Sequence, residues 1–308
     1  MAAIDLEKML VKIKSTQWAL ADIDWDAPGA ELITPEQWPK LKAFMSDLMW
    51  IEHVGARGFA ALAKVAPNDT LREIYTYFHA EEQRHANAEM ALMRRWGMLE
   101  GDEIPEPNTN LRLVIEWLDR YSDDMPLEVL GSVIPMLEIA LDGALCKFLL
   151  DTVKDPVCHQ AFEKINDDES RHLGVGFTVL EMQGHGELYK LAIRTAGTLM
   201  RPTLILGILS YLPLLNKMRD NIVEMGLQEE SLYKVMKKFE TIGGRTEEGR
   251  RNPWYQIISR HGRVMVNRRN YAYHVPVDAM VKLSDLIPRR LLPPVPTWVK
   301  ELTWNPVA

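Results

Sequence analysis

Residues 79–85 read His-Ala-Glu-Glu-Gln-Arg-His, and residues 167–172 read Asp-Asp-Glu-Ser-Arg-His. Both contain an acidic residue followed by Glu-x-Arg-His. Positions i and i+3 share a helix face, so Glu82 with His85, and Glu169 with His172, each aim a carboxylate and an imidazole the same way. Each motif follows a helical pattern with one glutamate in an apolar run: Glu52 lies 30 residues before Glu82, and Glu138 lies 31 before Glu169. The two halves are offset by 86 to 87 residues, which makes an internal repeat of ligand-type side chains.

Four antiparallel helices can bring these six side chains into one bundle core. Unpaired charges are costly to bury, so four carboxylates and two imidazoles would not share an apolar core as free groups. Two divalent ions would neutralise them. Oxygen and imidazole donors suit iron or manganese better than the thiolate-preferring metals.

The order Glu, Glu-x-x-His, Glu, Glu-x-x-His resembles the signature of the ferritin-like di-iron carboxylate proteins, over about residues 34–185. The resemblance implies an all-α fold: a ferritin-like four-helix bundle with additional N- and C-terminal helices. It also implies two iron ions held by Glu52, Glu82, His85, Glu138, Glu169 and His172; ligand identity does not separate an iron pair from a manganese–iron pair. Glu81 and Asp168 precede the ligating glutamates and are placed to hold an imidazole N–H, with Arg84 and Arg171 pairing those acids. Asp142, one turn after Glu138, is a candidate proton relay, an extra ligand or a plain ion-pair partner. Glu89 and His79 are candidates for supporting hydrogen bonds, whereas His53 faces away from Glu52 by roughly 100°.

Three departures narrow the branch. The ribonucleotide reductase small subunit carries its radical tyrosine one turn after the first-motif histidine, where this chain has Glu89; a radical-generating role is not expected. The ligand-binding oxidases make a cross-link from a tyrosine five residues before the third carboxylate, where this chain has Val133. The p-aminobenzoate N-oxygenase type has an extra histidine where Ile165 stands here. What remains is a dioxygen-activating oxygenase, desaturase or oxidase acting on a hydrophobic, aromatic or acyl substrate. No flavin or nicotinamide fingerprint is present, so a separate electron-transfer protein is expected. The alternative is a ferroxidase or iron-binding protein without an organic substrate, which would assemble as a cage rather than the expected homodimer.

The 308 residues, 47% hydrophobic, are enough for a sizeable core. The net charge of −7 is uneven: residues 245–308 hold 11 Lys/Arg and 5 Asp/Glu, leaving 25 and 38 for the rest. The acidic body argues against nucleic-acid binding, and the basic end could meet an acidic partner, an acyl carrier or a membrane surface. Cys146 and Cys158 form no disulfide framework, and the start shows no signal-peptide pattern, so a cytoplasmic setting is expected.

Along the chain, three regions are expected: a helix and loop over 1–33, the di-metal bundle with a covering helix over 34–217, and a helical and irregular extension over 218–308. Helices are expected at about 4–20, 35–65, 68–96, 109–121, 126–153, 156–183 and 228–242, with a kink at Pro135. The apolar run 203–215 is too short to span a bilayer, which takes roughly 20 residues, and is read as a buried covering helix, with a membrane-surface or dimer contact as the alternative.

Overall fold

The computed structural model describes residues 4–122 apart from 35 and 37, isolated positions between 127 and 150, then 153–182, 202–224, isolated positions between 233 and 244, 247–251 and 253–295. Within the expected third bundle helix, residues 127, 130, 131, 134, 149 and 150 are helical, whereas Glu138, Asp142 and the Pro135 kink lie outside the described residues, as does Cys146. Everything regular among the described residues is helical.

α1 (Leu6–Ser15) is capped by Asp5, whose carboxylate accepts from the backbone of Glu7 and Lys8. It is shorter than the expected 4–20 helix, and the chain continues into a 3₁₀ turn at Leu20–Asp22. α2 (Trp38–Val65) begins three residues later than Pro35, where the expected start was placed. α3 (Asp69–Arg95) is capped by Asn68, and the chain leaves it through Gly97 at φ 72°, the left-handed conformation that favours glycine. α4 (Thr109–Tyr121) matches its expected span. α5 (Pro156–Met182) starts where Asp155 Oδ1 accepts from the Val157 amide. Proline fits this first helical position because its missing N–H would have had no helical partner.

α2 and α3 form an antiparallel pair, because the residues that meet run in opposite order: Ser46 reaches Met93, Gly55 abuts Glu82, and Phe59 packs on Phe78. α3 and α5 are antiparallel by the same test, with Arg95 on Asp155, His85 on Asp168 and His172 on Glu81. The two Glu-x-x-His motifs therefore cross at one level of the bundle. One end is filled by Phe59, Tyr75 and Phe78, with ring centroids 5.2 to 6.4 Å apart. Burying each such ring contributes roughly 1.5–3 kcal/mol.

α6 (Pro202–Glu224) is longer than the apolar run that marked it, continuing through Pro213 into a polar half. Its Leu214, Leu215 and Met218 are buried, and it lies against α4 and α2 as a cover for the bundle. Side chains of residues 202–211 lie outside the description, so this cover is established for its second half. The C-terminal part adds α7 (Glu247–Arg251), α8 (Pro253–Val266) and α9 (Tyr271–Asp285). Residues 233–234, 236–237 and 240–241 within the expected 228–242 helix are helical. α9 is tied to α6 by Asn216–Asp278 and Lys217–Asp285, and to α4 by Ser284–Asn110.

Candidate metal centre

The inner cluster is made by α2, α3 and α5, which contribute Glu52, Glu82 with His85, and Glu169 with His172. All five are at least 96% buried. His85 Nδ1 lies 3.3 Å from Glu52 Oε2 and 3.1 Å from Glu169 Oε1. His172 Nδ1 lies 3.0 Å from Glu82 Oε1 and 3.4 Å from Glu169 Oε2. Glu169 thus turns one oxygen to each histidine and spans the two halves. One ligand atom each from Glu52, Glu82, His85 and Glu169 lies within 4.8 Å of the others.

The other face of each imidazole is held crosswise. His85 Nε2 donates to Asp168 Oδ2 at 3.0 Å, and His172 Nε2 donates to Glu81 Oε2 at 2.9 Å. With the Nε2 proton held outward, Nδ1 is the nitrogen turned to the inner carboxylates, and it becomes a lone-pair donor once a cation displaces its proton. Behind these acids, Arg171 Nη2 donates to Glu81 Oε1 at 3.1 Å and pairs closely with Asp168. Arg84 lies 3.5 Å from Asp168 and 3.8 Å from Glu81. Two acids and two guanidinium groups make this outer ring self-neutral, so it offers no net charge to the inner carboxylates.

Two more residues complete the ring from the segment after α1. Trp18 Nε1 donates to Asp168 Oδ2 at 2.7 Å, while its ring lies beneath the Arg84 guanidinium, 4.9 Å from the centroid. Gln17 donates to Glu81 and accepts from Arg84. Neither was expected, and nothing in the local sequence marks them: only docking of the N-terminal segment beside α3 and α5 brings them there.

The electrostatics follow from burial and proximity. Burial opposes a charge on His85, but the facing carboxylates of Asp168, Glu169 and Glu52 outweigh it and raise its pKa well above the usual histidine range. Burial is likewise outweighed at His172 by Glu169, Glu81 and Glu82. Burial and the neighbouring Glu169 and Glu52 push Glu82 well up. Burial also opposes the charge on Asp168, yet His85 and Arg171 hold its pKa below the ordinary carboxylate range.

The remaining candidates separate cleanly. Glu89 is fully buried one turn beyond His85, and neither of its oxygens has a hydrogen-bond partner. Burial and the nearby Glu52 push its pKa well up. His79 bonds the Ala56 carbonyl and Gln83, not the cluster. His53 packs against Trp50 and is kept neutral, its pKa pushed down to about 3 by burial and by His79.

The donor set fits a pair of cations. Glu82 Oε1, both Glu169 oxygens and His172 Nδ1 are buried without a hydrogen bond, although oppositely charged atoms lie 3.0 to 3.4 Å away. Ligands bound at about 2.1 Å to a first-row divalent ion stand about 3 Å apart on an octahedron, so the spacing suits donors sharing an ion. The approach of α2 is shaped to this: a Cβ on Gly55 would fall 2.1 Å from Glu82 Oε2, so only glycine leaves that carboxylate its place.

Solved structures that share this helical arrangement include variants of an R2-like ligand-binding oxidase. The fold is that of the R2-like ligand-binding oxidases. One such oxidase, aerobically reconstituted with an Fe/Fe cofactor, superposes with a TM-score of 0.52 at 16% identity, covering 87% of this chain and 92% of that one. Another, aerobically reconstituted with Mn/Fe, gives a TM-score of 0.56 at 16% identity over 86% of this chain and 94% of the oxidase. No protein-family model matches the sequence, and no curated protein matches it. The all-α, ferritin-like class expected from the doubled motif is therefore the observed one.

Proposed function

We propose that this chain is a dioxygen-activating di-metal carboxylate oxidoreductase acting on a hydrophobic or aromatic organic substrate. The observation that carries the reading is Glu169, whose two oxygens face Nδ1 of His85 and Nδ1 of His172 at 3.1 and 3.4 Å. A carboxylate with one oxygen on each side is the element that makes two metal positions into one centre. Glu52, His85 and Glu169 would hold one ion, and Glu82, His172 and Glu169 the other, with Glu138 as the sixth ligand. An iron pair or a manganese–iron pair suits these donors, as in the Fe/Fe and Mn/Fe oxidases that share the fold.

When bound, such a pair supplies the electrons that reduce dioxygen. The chain's own residues do the rest. Asp168 and Glu81 keep the protons on Nε2 and make each imidazole a stronger donor. Phe59 and Phe78 close the His172 side against water, with ring centroids 5.1 and 4.1 Å from the imidazole. Asp142, four residues after Glu138 in the sequence, is assigned the proton relay. Electrons come from a separate reductase, since the sequence holds no flavin or nicotinamide fingerprint.

The test is anaerobic loading with ferrous iron, metal analysis, then exposure to air with dioxygen uptake recorded. The reading expects two metal ions per chain, uptake that depends on Glu169, and a product when a small aromatic or acyl substrate is supplied. Many irons per chain in a large cage, judged by size exclusion, would instead show an iron-storage protein. Metal content unchanged in Glu169→Ala would remove the centre altogether.

A further inference from the structure

α9 and the residues after it carry an apolar face that the described residues leave uncovered. Tyr271 is 72% exposed, Val275 64%, Leu283 65%, Leu286 75% and Leu291 70%. With exposed Ala279, the positions 271, 275, 279, 283 and 286 are spaced by three or four and form one stripe. The opposite face is anchored through buried His274, Val277 and Ser284. Isolated exposed leucines are ordinary, but a contiguous helical stripe of large apolar side chains marks an interaction surface.

Its surroundings are basic. Residues 263–295 hold six basic and two acidic side chains. Asp278 is bonded by Asn216 and the half-exposed Asp285 pairs with Lys217, while Arg263, Arg268 and Arg289 pair with Glu240, Asp220 and Glu106. Arg269, Lys282 and Arg290 are exposed at the start, middle and end of the stripe. α9 is 15 residues long, too short to span a bilayer, and no helix among the described residues is long and apolar enough to do so.

We infer that this face docks on an anionic phospholipid surface. An apolar stripe flanked by arginine and lysine lies in a membrane interface with its aliphatic side chains at the acyl boundary and its cations on the phosphates. The remainder of the chain carries 30 basic and 41 acidic residues, so an anionic surface attracts this face and repels the rest, which fixes the orientation. A second copy fits less well. Self-pairing of the stripe, in either helix direction, sets Arg269, Lys282 and Arg290 against their own like charges. The inference goes beyond the metal chemistry and stands without it.

The test is flotation of the full-length protein with phosphatidylglycerol–phosphatidylcholine vesicles against pure phosphatidylcholine vesicles. Binding is expected to the anionic vesicles and to weaken with salt. It should weaken about fivefold for each of Lys282→Glu and Arg290→Glu, and more than about tenfold for Leu283→Asp with Leu286→Asp. Circular dichroism and metal content serve as folding controls; should the leucine pair misfold, the two charge variants decide the matter. No flotation at low salt, or equal flotation with neutral vesicles, overturns the inference. So does a dimer that Leu286→Asp dissociates while vesicles stay bare, which would make the stripe a contact between copies.

Discussion

Asp168 accepts its hydrogen bond from His85, 83 residues away on another helix, and not from His172 one turn along its own. Glu81 and His172 repeat the exchange in the other direction. The antiparallel crossing of α3 and α5 places the acid of each motif behind the histidine of the other. Each half of the centre is thus oriented by the opposite helix, and separation of α3 from α5 would release both imidazoles together.

From this follows the behaviour of Asp168→Asn. The amide cannot supply the negative charge that strengthens His85, and it leaves Arg84 and Arg171 to share Glu81. Metal affinity is expected to fall by about 10- to 100-fold, the usual effect of removing such a partner. Competition with a chelator, on protein shown to be folded by circular dichroism, measures it. Glu81→Gln should act alike through His172, and wild-type retention in both variants would refute the crosswise arrangement as a tuning device.

Gly55→Ala should separate folding from metal binding. Alanine favours a helix over glycine by about 1 kcal/mol, so the metal-free protein gains or keeps thermal stability. The new methyl meets the Glu82 carboxylate, which must move from its place beside His172. The expected outcome is unchanged or higher Tm without metal, together with weaker metal retention. A variant that binds metal as tightly as the wild type would show that Glu82 is not confined by α2.

The raised pKa values of His85 and His172 set the sign of the pH response. A histidine whose folded pKa exceeds its unfolded one gives stability that is complete below the unfolded value and disappears as pH rises through the folded one. Metal-free protein should therefore lose stability toward alkaline pH. Metal displaces the same protons, so its affinity should rise in that direction. Thermal unfolding with and without metal across the pH range reads both slopes; flat curves for both would contradict the assignment.

Asp47 supplies an independent pH effect away from the cluster. Burial raises its pKa to about 6, against an opposing hydrogen bond from Asn108 and the nearby Lys217. The folded state therefore binds a proton that the unfolded chain releases near its ordinary value of 3.8, and stability declines as pH rises between the two. Asp47→Asn should be more stable than the wild type above that window, by up to about 3 kcal/mol, and nearly equal below it. Denaturant titrations at acidic and neutral pH give the comparison, and a gap of the same size at both would exclude the ionisation as its source.

Several elements were legible in the chain itself. Asn68 before α3, the Asp155-Pro156 start of α5 and the span of α4 follow from local backbone chemistry, which depends on neighbours in sequence. The expected start of α2 at Pro35 was early, and α1 stops at Ser15, short of the predicted end near residue 20. A cap-like sequence and apolar spacing permit a helix but do not oblige it to use every residue. Gln17 and Trp18 could not be read as part of the centre, because their partners lie 64 to 150 residues away.

The sequence by itself marked the candidate donors: the doubled Glu-x-x-His, at matched distance from a glutamate in an apolar run, points to a centre presented by helices, since helical spacing is a property of the backbone. Only the tertiary structure decided which acid serves which histidine, that Glu169 turns an oxygen to each side, that Gly55 makes room for Glu82, and which face of α9 is left bare. Those relations depend on how helices cross and rotate against one another, and this is settled by packing between residues far apart in the chain.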